Sequence, residues 1–178
     1  EAWRSYAGKL RALADKMAQV KTLRVVAEDT DLTVGIDGRS WVASQGLRNF
    51  PDGEIFTGPL ETETEGEVRF SFPAVMGGRE VQDVRLRFEE GKVVHSEAAA
   101  GGDYLEQMLR MDEGASILGE FAIGTNYMVT EFTRQILEDC VVGVVDVAPD
   151  ERVVFGEIIR DRPELEVFLR LAMAPHPA

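Results

Sequence analysis

The sequence predicts an α+β fold, in which a curved, mostly antiparallel sheet is flanked by helices. Three observations predict it. Apolar residues near the N-terminus recur at three- and four-residue spacing, the period of an amphipathic helix. From Leu23 onward the apolar period changes to two, which is the period of a half-buried strand. Turn dipeptides such as Asp37-Gly38 and Glu90-Gly91 divide that pattern into short strands, and hairpin turns join antiparallel neighbours.

The first quarter of the chain is predicted to contain one helix and three strands. The helix covers residues 2–19, where apolar positions form one stripe and Arg, Lys and Asp stand between them. Strands over 23–27 and 32–36 follow, separated by an acidic turn. The Asp-Gly turn at 37–38 predicts a hairpin that returns as a strand over 40–43.

Residues 49–59 form the first candidate functional segment. Two prolines and two glycines among these eleven residues favour a stiff backbone that is neither a helix nor a long strand. Glu54 precedes the apolar pair Ile55 and Phe56, so we expect its carboxylate at the edge of the core. Two interpretations stay open. Spacing alone favours a solvated turn residue, whereas a carboxylate on a rigid loop also suits a metal ligand or an acid/base group.

The central segment predicts further strands. Residues 61–67 alternate glutamate with threonine and glycine, a pattern more typical of a solvated strand edge than of a metal site. Strands are predicted over 68–75, 80–88 and 93–96, with a hairpin between the last two. His95 stands alone among alternating strand residues, and we interpret it as structural.

The second candidate functional segment, residues 114–126, follows a predicted helix over 103–111 that has Asp103 as its N-cap. The segment is almost continuously apolar, as in strands buried on both faces. Its one carboxylate, Glu120, would then need a counter-charge. No basic residue lies within five positions of Glu120 on either side. A bound cation is therefore a reasonable partner, and we interpret Glu120 as functional.

Composition restricts the class of protein. The 178 residues suit one domain or slightly more, with 44% apolar and 29% charged residues, as in soluble globular proteins. The net charge of −13 argues against a nucleic-acid backbone or an anionic membrane as the main partner. No apolar run approaches the roughly 20 residues that a membrane span needs.

Cysteine and histidine usage restricts the chemistry. Cys140 is the only cysteine, which excludes an intrachain disulfide and a cysteine-based metal site. It also favours a reducing compartment, so we expect a cytoplasmic protein. Any metal would have to be held by carboxylates and histidines, and the only histidines are His95 and His176.

Four segments in order resemble the thermophilic aminopeptidases of the aminopeptidase T and aminopeptidase S type. They are TDLT at 30–33, NFPDGEIFTGP at 49–59, RFEEG at 87–91 and LGEFAIGTN at 118–126. The resemblance runs from about residue 23 to residue 137. It implies an exopeptidase that removes N-terminal residues from peptide substrates with two divalent metal ions, zinc or cobalt, and that works as a homodimer. It also implies that Glu54 and Glu120 are metal ligands.

The resemblance ends at residue 137. The family continues with a segment similar to FDEKIGGT, a histidine, a tyrosine and a His-x-Asp pair, and this chain contains no His-x-Asp. We therefore divide the chain into a partial catalytic domain, residues 1–137, and a divergent tail, residues 138–178. A reading-frame change, a truncated gene or a relative that lost its site would each produce this pattern. Under any of them we expect a fragment that is inactive as it stands.

Further elements are predicted near and within the tail. Residues 129–137 favour a short helix, residues 141–147 and 152–159 favour strands, and residues 163–173 favour a helix with proline in its first turn. Two alternatives to a metallo-aminopeptidase fragment stay open. One is a non-catalytic binding or dimerisation module of the same fold, favoured by the missing histidines. The other is an unrelated acidic α+β domain that shares the motifs by chance.

Overall fold

The computed structural model describes residues 2–46, 53–70, 73–76, 78–125, 144–146 and 166–171. Within those ranges lie two helices and eleven strands, and every strand pairing is antiparallel. The predicted α+β class is confirmed. In chain order the elements are α1 (Ala2–Met17), β1 (Thr22–Ala27), β2 (Thr30–Gly35), β3 (Val42–Ser44), β4 (Glu54–Thr57), β5 (Thr64–Phe70), β6 (Ala74–Met76), β7 (Arg79–Glu89), β8 (Lys92–Ala100), α2 (Gly102–Leu109), β9 (Leu118–Gly124), β10 (Val144–Asp146) and β11 (Glu166–Leu171).

The strands form two sheets where one curved sheet was predicted. Sheet 1 has the order β10-β1-β2-β5-β7-β6, and β8 also pairs with β7. Sheet 2 has the order β11-β9-β4-β3, and α1 packs against β3 and β4. Buried apolar side chains from both sheets and both helices belong to one core, which includes Leu10, Leu32, Phe88, Leu105 and Phe121.

Local patterns predicted several elements well. Helix α1 ends two residues before the predicted boundary, and its buried Leu10, Ala14 and Met17 lie on the expected face. The β7–β8 hairpin is confirmed. Its turn residues Glu90 and Gly91 have φ values of 49° and 80°, and a tight hairpin turn requires positive φ at both central positions.

The hairpin predicted at residues 37–38 is wrong. The turn itself forms, with a φ of 70° at Gly38, but the strand that follows pairs with β4 in sheet 2 and not with β2. Strand β2 already pairs with β1 on one edge and with β5 on the other. Since a strand has only two edges, the returning chain finds none free on β2 and crosses to the second sheet.

The acidic strand at residues 64–70 does not lie at a sheet edge. Strand β5 pairs with β2 on one side and with β7 on the other. Glu65 and Glu67 are exposed, as predicted, because they point to the solvated face of an interior strand. Alternation reports which face meets water, and it does not distinguish a central strand from an edge strand.

Helix α2 begins differently from the prediction. Its N-cap residue is Gly101, with a φ of 76°, whereas Asp103 lies in the first turn. A β-carbon at position 101 would lie 2.6 Å from the carbonyl oxygen of Glu80, so space as well as φ requires glycine there. After the helix, the Asp112 carboxylate accepts hydrogen bonds from the amides of Gly114 and Ala115, both at 2.8 Å. This turn occupies the start of the predicted apolar segment, so the observed strand begins only at Leu118.

The tail contributes a strand to each sheet. Strand β10 lies within the predicted strand 141–147 and pairs with β1. The helix predicted over 163–173 is wrong, because residues 166–171 form β11 and pair with β9. The edge of β9 offers backbone hydrogen bonds that override the local helical pattern. The elements predicted at 129–137 and 152–159 lie outside the described residues, and the domain boundary at 137 stays a prediction.

Candidate metal site

The two candidate glutamates lie on neighbouring strands of sheet 2. Glu54 opens β4 and pairs with Gly124 of β9, and Glu120 lies four positions before Gly124 on the same strand. Successive residues of a strand alternate between faces, so an even offset puts both glutamates on one face of the sheet. Four positions along a strand separate their α-carbons by roughly 13 Å. The carboxylates can approach one another only by reaching along the sheet.

The opposite face of these strands belongs to the core. Ile55, Phe121 and Ile123 are fully buried, which holds β4 and β9 in a fixed orientation. Between the two glutamates, Ala122 is 1% exposed, so other residues cover part of their shared face. The core thus determines which way Glu54 and Glu120 point.

The expectation that Glu120 is fully buried is wrong. Glu54 and Glu120 are each partly exposed, because the face that carries them is less completely covered than the face of Phe121 and Ile123. A carboxylate in contact with water has a smaller desolvation cost than a buried one. Burial alone therefore no longer requires a cation beside Glu120.

A bulge lies directly beside Glu120. Glu120 pairs with Arg170 of β11, whereas the next pair joins Leu118 to Leu171, so Gly119 is an extra residue on β9. Bulges bend a strand and redirect the neighbouring side chains, and they are common beside functional sites. The bulge therefore gives Glu120 a different setting from Glu54, which lies in regular pairing.

The same register places a basic residue opposite Glu120. Arg170 is its partner position on β11, fifty positions later in the chain. The sequence argument considered only residues close to Glu120 in the chain and therefore missed Arg170. The register therefore places an arginine position, and not only apolar positions, beside Glu120.

The start of β4 is fixed by hydrogen bonds from Thr125, which directly follows β9. Its amide and its hydroxyl both donate to the carbonyl oxygen of Gly53, each at 2.8 Å. The hydroxyls of Tyr6 and Thr125 lie 2.7 Å apart. The sequence analysis gave neither Tyr6 nor Thr125 a role. A tyrosine hydroxyl on the apolar face of a helix does not reveal, from the sequence, which residue it will contact.

The two glutamates offer carboxylate oxygens as the donor atoms of the candidate metal site. Two carboxylates on one face supply oxygen ligands that suit divalent cations. Within the part of the chain that the structure describes, no three His, Cys, Asp or Glu side chains gather into a group able to hold a metal ion. Glu54 and Glu120 by themselves do not make up such a group.

His95 does not join the two glutamates. It lies on β8 in sheet 1, and its ring Nε2 is 3.1 Å from the Glu97 carboxylate on the same surface of the strand. Both side chains are more than half exposed. This surface pair agrees with the structural interpretation of His95, while His176 lies outside the described residues.

Comparison with known proteins supplies the functional context. Aminopeptidase T of Thermus thermophilus is 38% identical over 113 residues, which cover 56% of this chain and 28% of that protein. Aminopeptidase AmpS of Bacillus subtilis is 30% identical over 120 residues, 61% of this chain and 29% of that protein. The chain thus spans less than a third of the length of these relatives.

Two solved structures share the fold. Wild-type AmpT from Thermus thermophilus matches with a TM-score of 0.61 and 34% identity, covering 69% of this chain and 34% of that one. A 2,5-dihydroxypyridine dioxygenase from Pseudomonas putida matches with a TM-score of 0.52 at 19% identity, over 65% of this chain and 38% of that one. The second likeness concerns the fold alone. Since it joins proteins with different names and reactions, the fold by itself does not decide the chemistry.

No helix among the described residues has the length and apolar character to cross a membrane.

The family assignment rests on the larger part of the chain. The model of the thermophilic metalloprotease family, M29, matches residues 1–139. The chain belongs to the M29 family of thermophilic metalloproteases.

Proposed function

We propose that this chain carries part of the metal site of an aminopeptidase, with Glu54 and Glu120 as metal ligands. The observation that carries the proposal is their placement on one face of two directly paired strands. The family match makes a metal-dependent protease the expected context, and the two relatives described above bear the name aminopeptidase.

The chemistry of the two residues suits this role. Carboxylate oxygens bind divalent cations such as zinc and cobalt, and two carboxylates on one face can hold two such ions together. Bound divalent ions polarise a peptide carbonyl and acidify a coordinated water molecule. The part played by the protein is to hold both carboxylates on a rigid sheet whose other face is packed into the core.

We propose further that the chain alone does not hydrolyse peptides. Two carboxylates are fewer ligands than a catalytic zinc normally has from protein, which is three. Among the described residues no further candidate joins them. We expect no release of the N-terminal residue from an aminoacyl p-nitroanilide in the presence of zinc or cobalt. Turnover above the metal-only blank that disappears in Glu120→Gln would contradict this expectation.

Zinc titration of the full chain by calorimetry tests the ligand assignment. We expect micromolar or tighter binding by the wild type and a loss of at least tenfold in affinity in Glu54→Gln and in Glu120→Gln. Glu67→Gln is the matched control, since Glu67 is an exposed strand glutamate on sheet 1. Equal affinities in all four proteins would overturn the assignment of Glu54 and Glu120.

The register of Arg170 favours a second candidate function, a non-catalytic binding or dimerisation module of the same fold. Arg170 occupies the register position opposite Glu120 on β11, and a cross-strand pair of opposite charges would need no metal. This alternative is supported if zinc produces no heat and sedimentation shows a dimer. A zinc-binding monomer would reject it.

Two properties implied earlier remain proposals. The single cysteine supports a cytoplasmic location, because it cannot form an intrachain disulfide and disulfides are typical of secreted proteins. The resemblance to the aminopeptidases supports a homodimer. Sedimentation equilibrium of the full chain measures the assembly, and fractionation of the native cell locates the protein. A strictly monomeric chain or an extracellular location would contradict these proposals.

A further inference from the structure

The first two turns of α1 contact Gln45 directly and reach Gly53 through Thr125, at the two ends of the segment that leads into Glu54. At one end, the indole Nε1 of Trp3 donates to the carbonyl oxygen of Gln45 at 2.6 Å. At the other end, the Tyr6 hydroxyl lies 2.7 Å from the hydroxyl of Thr125, which in turn binds Gly53. The rings of Trp3 and Tyr6 also pack together, with centroids 5.2 Å apart.

The directions of these hydrogen bonds can be assigned. A threonine hydroxyl has one proton to donate, and Thr125 donates it to the Gly53 carbonyl at 2.8 Å. In this arrangement the Tyr6 hydroxyl acts as the donor to Thr125. The Gly53 oxygen accepts from both the amide and the hydroxyl of Thr125, which uses both of its lone pairs. The result is a directed chain from Tyr6 through Thr125 to Gly53.

This series of hydrogen bonds ends at the peptide group that joins Gly53 to Glu54. The carbonyl of Gly53 and the nitrogen of Glu54 belong to one planar unit, so fixing the carbonyl also orients the bond from which Glu54 departs. Gly53 has a φ of 135°, a conformation that other residues rarely adopt. Thr125 is 7% exposed, and a buried hydrogen bond is costly to leave unmade. The position of Glu54 is thereby tied to a helix about fifty residues earlier in the chain.

The other end of the loop is held closely as well. Gly46 has a φ of 75°, and a β-carbon there would lie 2.9 Å from the indole nitrogen of Trp3. Arg11, which directly follows Leu10 on α1, donates to the Gln45 side chain at 2.9 Å. Helix α1 thus contacts Gln45 and Gly46 before the loop and reaches Gly53 after it.

We propose that Trp3 and Tyr6 are positioning residues for Glu54, and that the start of α1 acts as a clamp that holds Gln45 directly and Gly53 through Thr125. The inference rests on the proposed function in one respect, the role of Glu54 as a metal ligand. The clamp is a geometric arrangement of α1, Thr125 and the start of β4, and it can be measured separately from metal binding.

The test compares Tyr6→Phe, which removes only the hydroxyl, with the matched control Tyr104→Phe on α2. Two quantities are measured on the full chain: zinc affinity by calorimetry, and protection of the Thr125 and Glu54–Thr57 amides from hydrogen exchange. Residues that support a metal ligand typically change affinity by 10- to 100-fold. We expect Tyr6→Phe to weaken zinc binding about tenfold and to lower amide protection locally, and Tyr104→Phe to change neither.

A rescue experiment separates positioning from general stability. Thr125→Ser retains the hydroxyl and should keep both zinc affinity and protection near the wild-type values, whereas Thr125→Val should reproduce the loss seen in Tyr6→Phe. Trp3→Phe should also weaken zinc binding, because it removes the hydrogen bond to Gln45. Thermal midpoints are recorded for every variant, so that a global loss of stability is recognised.

Each result decides the question. If protection of Thr125 and β4 is unchanged in Tyr6→Phe, the clamp is overturned whatever zinc does. If protection falls while zinc affinity stays within twofold, the contact is structural and the positioning role is overturned. If the wild type binds no zinc but protection falls locally in Tyr6→Phe, the proposed metal site fails and the clamp itself stands.

Discussion

The two sheets use their charged residues differently. On sheet 1, arginines and carboxylates form ion pairs across strands, such as Arg24 with Asp31 at 2.7 Å and Arg69 with Asp83 at 2.6 Å. On sheet 2, Glu54 and Glu120 share one face across a strand pair, and the basic residue in register comes from the tail. The comparison teaches that acidic composition alone carries little functional information here. What distinguishes the candidate ligands is their register within a rigid sheet.

The largest expected effect concerns the core that the two sheets share. Phe121→Ala in sheet 2 and Phe88→Ala in sheet 1 each remove a fully buried ring, which costs about 3–5 kcal/mol of unfolding free energy. Because both rings belong to one core, we expect each variant to unfold in a single urea transition.

The matched control for this pair is Val94→Ala, since Val94 is 47% exposed and should change stability little. Two separate transitions, with Phe88→Ala affecting only one of them, would show that the sheets are independent units. A loss below 1 kcal/mol in either phenylalanine variant would also contradict the shared core.

An intermediate effect is expected at Arg170. Removing a positive charge from the position in register with Glu120 lowers the electrostatic cost of bringing a cation there, so Arg170→Gln should strengthen zinc binding several-fold. Calorimetry at low ionic strength measures the change. Arg24→Gln on sheet 1 is the control and should leave zinc affinity unaltered. Weaker zinc binding in Arg170→Gln would show that Arg170 does not compete with the metal.

The smallest expected effect is the pH dependence of the Arg69–Asp83 pair. The hydrogen bond from Arg69, followed by its charge, lowers the pKa of Asp83 below its ordinary value of 3.8. A carboxyl whose pKa is lower in the folded state adds stability above its unfolded pKa and loses it as the pH falls through the folded pKa. The thermal midpoint of Asp83→Asn should therefore lie below that of the wild type at pH 7, by a margin that narrows below about pH 4.

Asparagine suits this test because position 83 has a φ of 47°, which asparagine tolerates well. Glu67→Gln serves as the control, because no hydrogen bond or ion pair of its side chain is seen among the described residues. A midpoint difference that stays constant between pH 7 and pH 3 would show that ionisation of Asp83 is not the cause.

Local chemistry explains which elements could be predicted from the sequence. The turn at Glu90-Gly91 is determined by residues that tolerate positive φ, and the helix over Ala2–Met17 by a stripe of apolar side chains. Both signals lie within a few neighbouring residues. The strand of residues 42–44 pairs elsewhere than predicted, because both edges of β2 are already occupied. Which edges are free depends on the whole sheet.

The same physics limited the prediction of the candidate site. The motifs singled out Glu54 and Glu120, but their common face follows from the register between β4 and β9, which the sequence does not encode in any short segment. Arg170 is in register with Glu120, and Tyr6 contacts Thr125, across separations of fifty or more positions along the chain. A long-range pairing replaced the helix predicted at 163–173, because β9 offered an open edge.

The most direct test of the central claim is the location of zinc in a crystal of the full chain. An anomalous difference map recorded at the zinc edge should show density within about 2.0–2.2 Å of carboxylate oxygens of both Glu54 and Glu120. The exposed His95–Glu97 pair is the natural competitor, because its ring nitrogen and carboxylate lie 3.1 Å apart on sheet 1. Zinc found at His95 and Glu97, with none at Glu54 and Glu120, would contradict the account.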